Sequence, residues 1–322
     1  KLMTWLGFIL IVPSVIYVLV KHFQLKLRFE VVGRTGGGGG TFDVHQAVTQ
    51  AMKDAEIRVE YQPIQRMSDA GPFGMEVLVS WQHPSGQTLQ ISPCDFVLLA
   101  EKSDIDLPFS EWILSSACAQ AAQWQHQFGP LILALDISSS QFHDPAFPKK
   151  LRALCEQVQY PHQLLEIEVR ESAILEDLDR ALLNVNRFAD EGLSITVDRF
   201  GLSQLSVDIL ERLPIGKVKL DRRLVKQISV DRQIAEHVSA TIIQAVQHDI
   251  QVIAEGVDTS DQRDALQQAG CILGQGSYFY PALSAKKFEE FIKGHSFEKA
   301  NSWRSDLGHL SKSSTDAGYV IS

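Results

Sequence analysis

Between about Val59 and Phe291, short runs rich in β-branched and aromatic residues alternate with longer stretches whose apolar positions recur every three or four residues. Such alternation predicts a parallel sheet, because a parallel neighbour is reached only through a crossover. The strand candidates are Val59 to Gln65, Met75 to Trp81, Leu131 to Ile137, Leu165 to Val169, Leu193 to Asp198, Lys217 to Leu220, Gln251 to Glu255 and Gly270 to Gly274. The clearest amphipathic helices are Ser110 to Gln127, Ala181 to Glu191, Ile234 to Gln247 and Ser260 to Ala269. A Gly- and Pro-containing turn at Asp69 to Gly74 makes the first two strands a hairpin. The pattern predicts an α/β chain folded as a modified TIM (β/α)₈ barrel with irregular first strands.

The ends of the chain follow other patterns. Leu2 to Val20 carries no charge, is rich in Leu, Ile, Val, Phe and Trp, and is followed by Lys21, His22, Lys26 and Arg28. At about 1.5 Å per residue it just crosses a hydrocarbon core of roughly 30 Å. A cleaved signal peptide would instead carry its basic residues before the apolar stretch. The expectation is one transmembrane helix preceding the barrel, at the inner (cytoplasmic) membrane, with the positive flank placing the barrel in the cytoplasm. A start at Lys1 fits the later part of a longer protein. Gly36 to Gly40 lacks the Lys-Ser/Thr of a phosphate-cradling loop and reads as a flexible linker. A helical pattern resumes from Asp43 to Ala55, with Val44, Ala47, Val48, Ala51 and Met52 on one face. The domain boundaries so drawn are 1–22 for the membrane helix, 23–56 for the juxtamembrane segment, linker and lead-in helix, 57–295 for the barrel and 296–322 for a Ser-rich tail.

Composition narrows the function. An apolar fraction of 45% and a charged fraction of 21% in 322 residues are those of a folded protein. A formal net charge of −9 argues against non-specific nucleic-acid binding, and an anionic ligand would need a local cationic site. Cys94, Cys118, Cys155 and Cys271 form no C-x-x-C pair and read as buried thiols of a reducing compartment. The ten histidines show no zinc spacing.

The informative feature is where the acids fall. Asp136, Asp198, Asp221 and Glu255 end four of the strand candidates, and a fifth carries Glu166 and Glu168 and is followed by Glu171. Carboxylates at the C-terminal ends of parallel strands point into one mouth, where barrels of this kind place their active sites. A single acid there is most often a helix N-cap. Five successive strands with acids are different, since converging carboxylates repel one another unless a divalent cation neutralises them. The residues themselves therefore indicate a Mg²⁺ or Mn²⁺ site acting on a phosphate ester.

Over about residues 57 to 292 the sequence resembles the EAL family of cyclic di-GMP phosphodiesterases. The matching stretches are Tyr61-Gln62-Pro63-Ile64, Glu76-Val77-Leu78 for the namesake E-A-L, Trp81 with His83-Pro84, Phe96 with Ala100-Glu101, and Leu135-Asp136-Ile137-Ser138. They continue with Glu168-Val169-Arg170-Glu171-Ser172, Asp198-Arg199-Phe200-Gly201, Val218-Lys219-Leu220-Asp221, Ala254-Glu255-Gly256-Val257-Asp258-Thr259, and Gly274-Gln275-Gly276 leading to Tyr278, Phe279 and Pro281. The resemblance implies that two divalent metals activate a water that opens the cyclic dinucleotide to linear pGpG. It assigns metal ligation to Glu76, Glu168, Asp198 and Glu255, with Asp198 bridging. Lys219 would position or deprotonate the water, Gln275 would orient water or substrate, and Glu171 would hold the loop after the Asp198 strand. Lys219 also has a bland reading as a surface lysine.

Several positions depart from the family pattern. Asp136 replaces an Asn and could still ligate a metal. Arg199 replaces the second Asp of D-D-F-G, exchanging a ligand for a fixed cation. Ser80 stands where the family places an arginine that reaches a substrate phosphate, and a hydroxyl cannot replace a bidentate contact. Arg170 replaces the Thr of E-x-T-E, and the T-G-Y-S-S loop that supports the metal site and dimer interface becomes Leu202-Ser203-Gln204-Leu205-Ser206. The favoured expectation is a degenerate EAL domain, weakly active or inactive and working through protein contacts. The alternatives are an active Mg²⁺- or Mn²⁺-dependent phosphodiesterase and a non-catalytic cyclic di-GMP receptor. Cyclic di-GMP, protein partners, the membrane and a second copy of the chain are the partners these readings admit; nucleic acid is not.

Overall fold

The computed structural model describes residues 50–51, 54, 56–82, 88–91, 106–203 and 205–295. They divide between two compact units, one taking 59–78 and the residues from 112 onward, the other the described residues of 1–58 and 79–111.

Among the described residues ten strands run in chain order: β1 (Ile57–Arg66), β2 (Pro72–Gln82), β3 (Thr88–Ile91), β4 (Ile132–Asp136), β5 (Leu165–Arg170), β6 (Ser194–Phe200), β7 (Lys217–Leu220), β8 (Gln251–Glu255), β9 (Leu273–Gln275) and β10 (Leu283–Ser284). In the larger unit eight of them close on themselves. From β2 through β4, β5, β6, β7 and β8 to β9 every neighbour is parallel. β1 closes the ring, pairing with β2 and lying antiparallel to β9, so the irregularity sits at the start of the barrel as the turn signals predict. β10 adds to the outer edge of β1, antiparallel.

The turn between β1 and β2 is set by its own side chains. The Arg66 backbone N–H bonds the Gly71 carbonyl at 2.9 Å, Asp69 Oδ1 accepts from the Gly71 N–H at 2.9 Å, and Ala70 adopts φ 54°. It closes earlier than the sequence suggests, and Phe73 and Gly74 already belong to β2. Gly74 is needed there because β4 passes so close that a Cβ would lie 2.8 Å from the Ile132 carbonyl oxygen. The last strand starts three residues later than expected, since Gly270 (φ 91°) still turns the chain after the preceding helix.

The helices Asp106–Phe128, Leu178–Asp190, Arg232–Gln247 and Ser260–Gln268 lie where the periodicity places them. Asp177, Asp231 and Thr259 cap the last three through their side chains, each satisfying an otherwise orphaned N–H. Phe147–Gln157 and Ala285–Gly294 are further helices, burying Phe147, Leu151 and Cys155, and Phe288, Phe291 and Ile292, at three- and four-residue spacing. Phe288 packs against Trp124 (centroids 4.9 Å apart), which meets Tyr61 edge-on at 4.8 Å. Cys118, Cys155 and Cys271 are buried free thiols.

Inside the barrel the pleat sorts side chains into layers, because residues two apart on a strand share a face. Ile64, Ala134, Ile253 and Leu273 form one apolar cluster. Two residues further along β4, β8 and β9 stand Asp136, Glu255 and Gln275. β5 and β7 carry Glu166 and Lys217, followed two residues later by Glu168 and Lys219. The lower pair is a closed ion pair, with Lys217 Nζ 2.6 and 2.9 Å from the two Glu166 oxygens.

In the smaller unit Val79 to Gln82 pair antiparallel with β3, and the Trp81 indole donates to Glu56 at 2.9 Å. β3 and β10, four and two residues long, were too short to show a period. The expected membrane segment 2–20, the glycine run, most of the lead-in helix, Cys94 and the tail from 296 lie outside the described residues. Of the lead-in helix, Gln50 and Ala51 are described as helical. Among the described residues no helix is long and apolar enough to cross a membrane.

Candidate metal centre

Five strands deliver the site. Glu76 on β2, Asp136 on β4 and Glu168 on β5 bring one carboxylate oxygen each to within 4.8 Å of one another, and all three are buried. Lys219 on β7, 1% exposed, reaches into them: its Nζ lies 2.9 Å from Glu76 Oε2 and 2.7 Å from Glu168 Oε2. Gln275 on β9 donates through Nε2 to the same Glu76 oxygen. Lys219 is therefore no surface lysine; the pleat aims it inward.

Burial raises the Asp136 carboxyl to about 7, with Asp198 and Glu76 pushing the same way and Lys219 and Arg170 opposing. Burial likewise pushes Glu255 to about 8, helped by Asp198 and Glu76 and opposed by Lys219 and Arg199. Glu168 is held well above the ordinary carboxylate range by burial, against Lys219. Burial alone would lower Lys219, but Glu168, Glu76, Asp198 and Glu255 outweigh it and hold the amine well above its usual value. In this state Lys219 is a fixed cation that can position a water but has no free pair with which to take its proton.

β6 is interrupted at the critical point. Its register with β7 shifts between Val197 and Phe200, and within this irregularity Arg199 takes φ 59°. Bulges of this kind re-aim side chains beside active sites. Here the Arg199 Nε lies 3.4 Å from Asp198 Oδ2. Its charge also acts on Glu255, opposing the burial that holds that carboxyl at about 8, and adds slightly to the hydrogen bonds from Arg223 that hold Asp221 below its usual value against burial. Arg170, opposite Asp198 in the β5–β6 register, acts in the same sense on Asp136. The sequence marks both arginines as departures, and their placement against the acids appears only once the strands are registered.

Two of the strand-end acids do not join the cluster. Asp221 caps the helix Arg222–Gln227, accepting from the Arg223 backbone N–H at 2.8 Å and holding the Arg223 guanidinium at 2.9 and 2.7 Å. Glu166 lies one layer down, matched by Lys217. Both were expected in the mouth; the first takes the capping role and the second is removed by the two-residue step of the pleat. Glu171 opens the short helix Glu171–Leu175, and burial raises its carboxyl to about 7 against hydrogen bonds from Ser203 and the Gly201 backbone. It thus touches the loop that follows β6. Ser80 belongs to the smaller unit, opposite Gln90 on β3, buried and with no hydrogen-bond partner for its hydroxyl among the described residues.

Glu168 Oε1, Asp198 Oδ1 and Gln275 Oε1 are buried and have no hydrogen-bond partner among the described residues. Orphaned oxygens of this kind are costly unless something cationic or protic meets them. An all-oxygen, carboxylate-rich donor set suits a hard divalent cation such as Mg²⁺ or Mn²⁺. Glu76, Asp136 and Glu168 fit one such ion. Around Asp198 and Glu255 the fit is poorer, because the Arg199 guanidinium already bears on both.

The sequence profile of the EAL domain matches residues 45–282. An uncharacterised signalling protein of Caulobacter vibrioides is 34% identical over 227 residues, covering 70% of this chain and 27% of the relative. The cyclic di-GMP phosphodiesterase NbdA of Pseudomonas aeruginosa is 30% identical over 264 residues, covering 81% of this chain and 33% of the relative. The chain thus spans about a third or less of these relatives. The solved structure of the PaMucR phosphodiesterase in complex with c-di-GMP superposes with a TM-score of 0.70 at 28% identity, covering 76% of this chain and 98% of that one. Closed barrel, mouth acids and profile agree, and the chain belongs to the EAL domain family.

Proposed function

We propose that this chain serves cyclic di-GMP signalling as a metal-dependent EAL domain that binds the dinucleotide, hydrolyses it slowly at most, and signals through protein contacts. One observation carries the reading: the Arg199 guanidinium lies 3.4 Å from the Asp198 carboxylate, the group to which the family resemblance gives the bridging role. Loss even of a residue behind a metal ligand typically costs about 10- to 100-fold in affinity or activity.

Glu76, Asp136 and Glu168 would hold the ion, and when bound it would polarise a phosphoryl oxygen and favour deprotonation of a water. Lys219, a permanent cation beneath Glu76 and Glu168, orients those carboxylates and offers a remaining donor to a water in the mouth. Gln275 fixes Glu76 through its amide nitrogen and leaves its buried oxygen able to accept from the same water. The apolar Leu2 to Val20 segment supports a tether at the inner membrane with the barrel on the cytoplasmic side.

The full chain in detergent micelles, incubated with Mn²⁺ and cyclic di-GMP and followed by chromatography for pGpG, tests the reading. The expected result is saturable binding with turnover at least about 100-fold below the median enzyme rate of about 10 per second. Turnover near that median would replace it with the second reading, an active phosphodiesterase, which the intact Glu76, Glu168, Asp198, Lys219, Glu255 and Gln275 favour. Absence of binding would leave a domain working through protein contacts alone.

A further inference from the structure

We infer that the mouth takes a single divalent cation, among Glu76, Asp136 and Glu168, and that Arg199 serves as the second, built-in cation on Asp198 and Glu255. The inference rests on reading the site as metal-dependent, and it adds how many ions the site holds and what replaces the missing one.

Charge balance is the first support. Glu76, Asp136, Glu168, Asp198 and Glu255 act on one another and are opposed by Lys219, Arg170 and Arg199. Once an entering ion displaces the protons that burial holds on Asp136, Glu168 and Glu255, five carboxylates against three cations leave two negative charges, which one divalent ion neutralises. A second would make the buried site cationic, at a desolvation cost that no further acid among the described residues of the site offsets. Asp221 stands outside this balance because Arg223 matches it with two hydrogen bonds.

The second support is which oxygens are orphaned. Glu168 Oε1 is buried and unpartnered beside the acids that can share an ion, and Gln275 Oε1 is likewise without a partner. At Asp198 only Oδ1 is in that position, because Oδ2 faces Arg199 at 3.4 Å. The third is the backbone. Arg199 sits at φ 59° in a strand irregularity, a left-handed conformation unfavourable to most non-glycine residues and least so to Asn and Asp. The backbone is thus shaped for a short acidic or amide side chain at this position while the sequence supplies a cation, so exchanging Arg199 for Asp restores a ligand without new strain.

The test counts ions rather than activity. The full chain in micelles is titrated with Mn²⁺ by calorimetry and examined by low-temperature electron paramagnetic resonance, without nucleotide. The wild type is expected to bind one Mn²⁺ per chain with an uncoupled six-line spectrum, and Glu76→Gln to weaken that ion at least about 10-fold. Arg199→Asp is expected to bind two ions with a spin-coupled spectrum. Two ions in the wild type overturn the inference, as does none. One ion in a folded Arg199→Asp variant overturns the role given to Arg199, and unchanged affinity in Glu76→Gln overturns the location. If Arg199→Asp does not fold, the wild-type count and Glu76→Gln decide. Fast cyclic di-GMP turnover would defeat the attenuated-enzyme reading while leaving this count intact, so the two failures are distinguishable.

Discussion

Two layers of one barrel hold the same chemistry and do different things with it. β5 and β7 each present an acid or a lysine twice, two residues apart, so that Glu166 meets Lys217 and Glu168 meets Lys219 one layer further toward the strand ends. In the lower layer both carboxylate oxygens are taken by one ammonium, at 2.6 and 2.9 Å, and the account closes. In the upper layer one lysine is shared between Glu76 and Glu168, with Asp136, Asp198 and Glu255 acting on the same group of charges and carboxylate oxygens left without partners. A buried acid–lysine pair is thus not by itself a functional sign. The excess of acid over base is, because only an excess requires something from outside.

The largest effect is expected in the lower layer. Lys217→Met strands the buried Glu166 charge and is expected to cost about 3–5 kcal/mol, read as a fall in the denaturation midpoint that Mn²⁺ does not repair. The upper layer is expected to respond to metal instead. Mn²⁺ at about 100 times its dissociation constant stabilises the folded chain by about 2.7 kcal/mol, and Glu76→Gln removes at least about half of that gain in a thermal melt with and without chelator.

Proton linkage sharpens the same contrast. With folded-state values of about 7 for Asp136 and about 8 for Glu255, both above the ordinary carboxylate range, the metal-free native state binds more protons than the unfolded chain. Their stabilising contribution is complete below about pH 4 and is lost as pH rises through 7 and 8. The slope is at most about 1.4 kcal/mol per pH unit for each group. Melts in chelator should therefore fall between pH 6 and 8 more steeply than melts in Mn²⁺; parallel curves would show that the cation does not displace these protons. The smallest effect is expected from Glu166→Leu combined with Lys217→Met. Removing both partners leaves no stranded charge, and the midpoint should return to within a few degrees of wild type.

Much of the barrel was legible because each strand carries its own signal. Leu165 to Val169 and Gln251 to Glu255 are apolar runs closed by acids, and the eight candidates coincide with the strands that close the ring. What escaped was what depends on register. Glu166 and Glu168 are near neighbours in sequence, yet the two-residue step that puts one against Lys217 and the other in the mouth shows only when β5 is set beside β6 and β7. The same holds for Arg199, whose aim onto Asp198 comes from a backbone irregularity that no periodicity encodes. Asp221 was misplaced for the opposite reason: its local capping role was readable, and the company of the other strand-end acids outweighed it.

Crystals of the chain grown with Mn²⁺ and measured for anomalous scattering would show directly whether the mouth holds one ion, with Arg199 in place of a second. One anomalous peak is expected, bounded by Glu76, Asp136 and Glu168, with the Arg199 guanidinium still against Asp198. A second peak between Asp198 and Glu255, with Arg199 turned away, would contradict it.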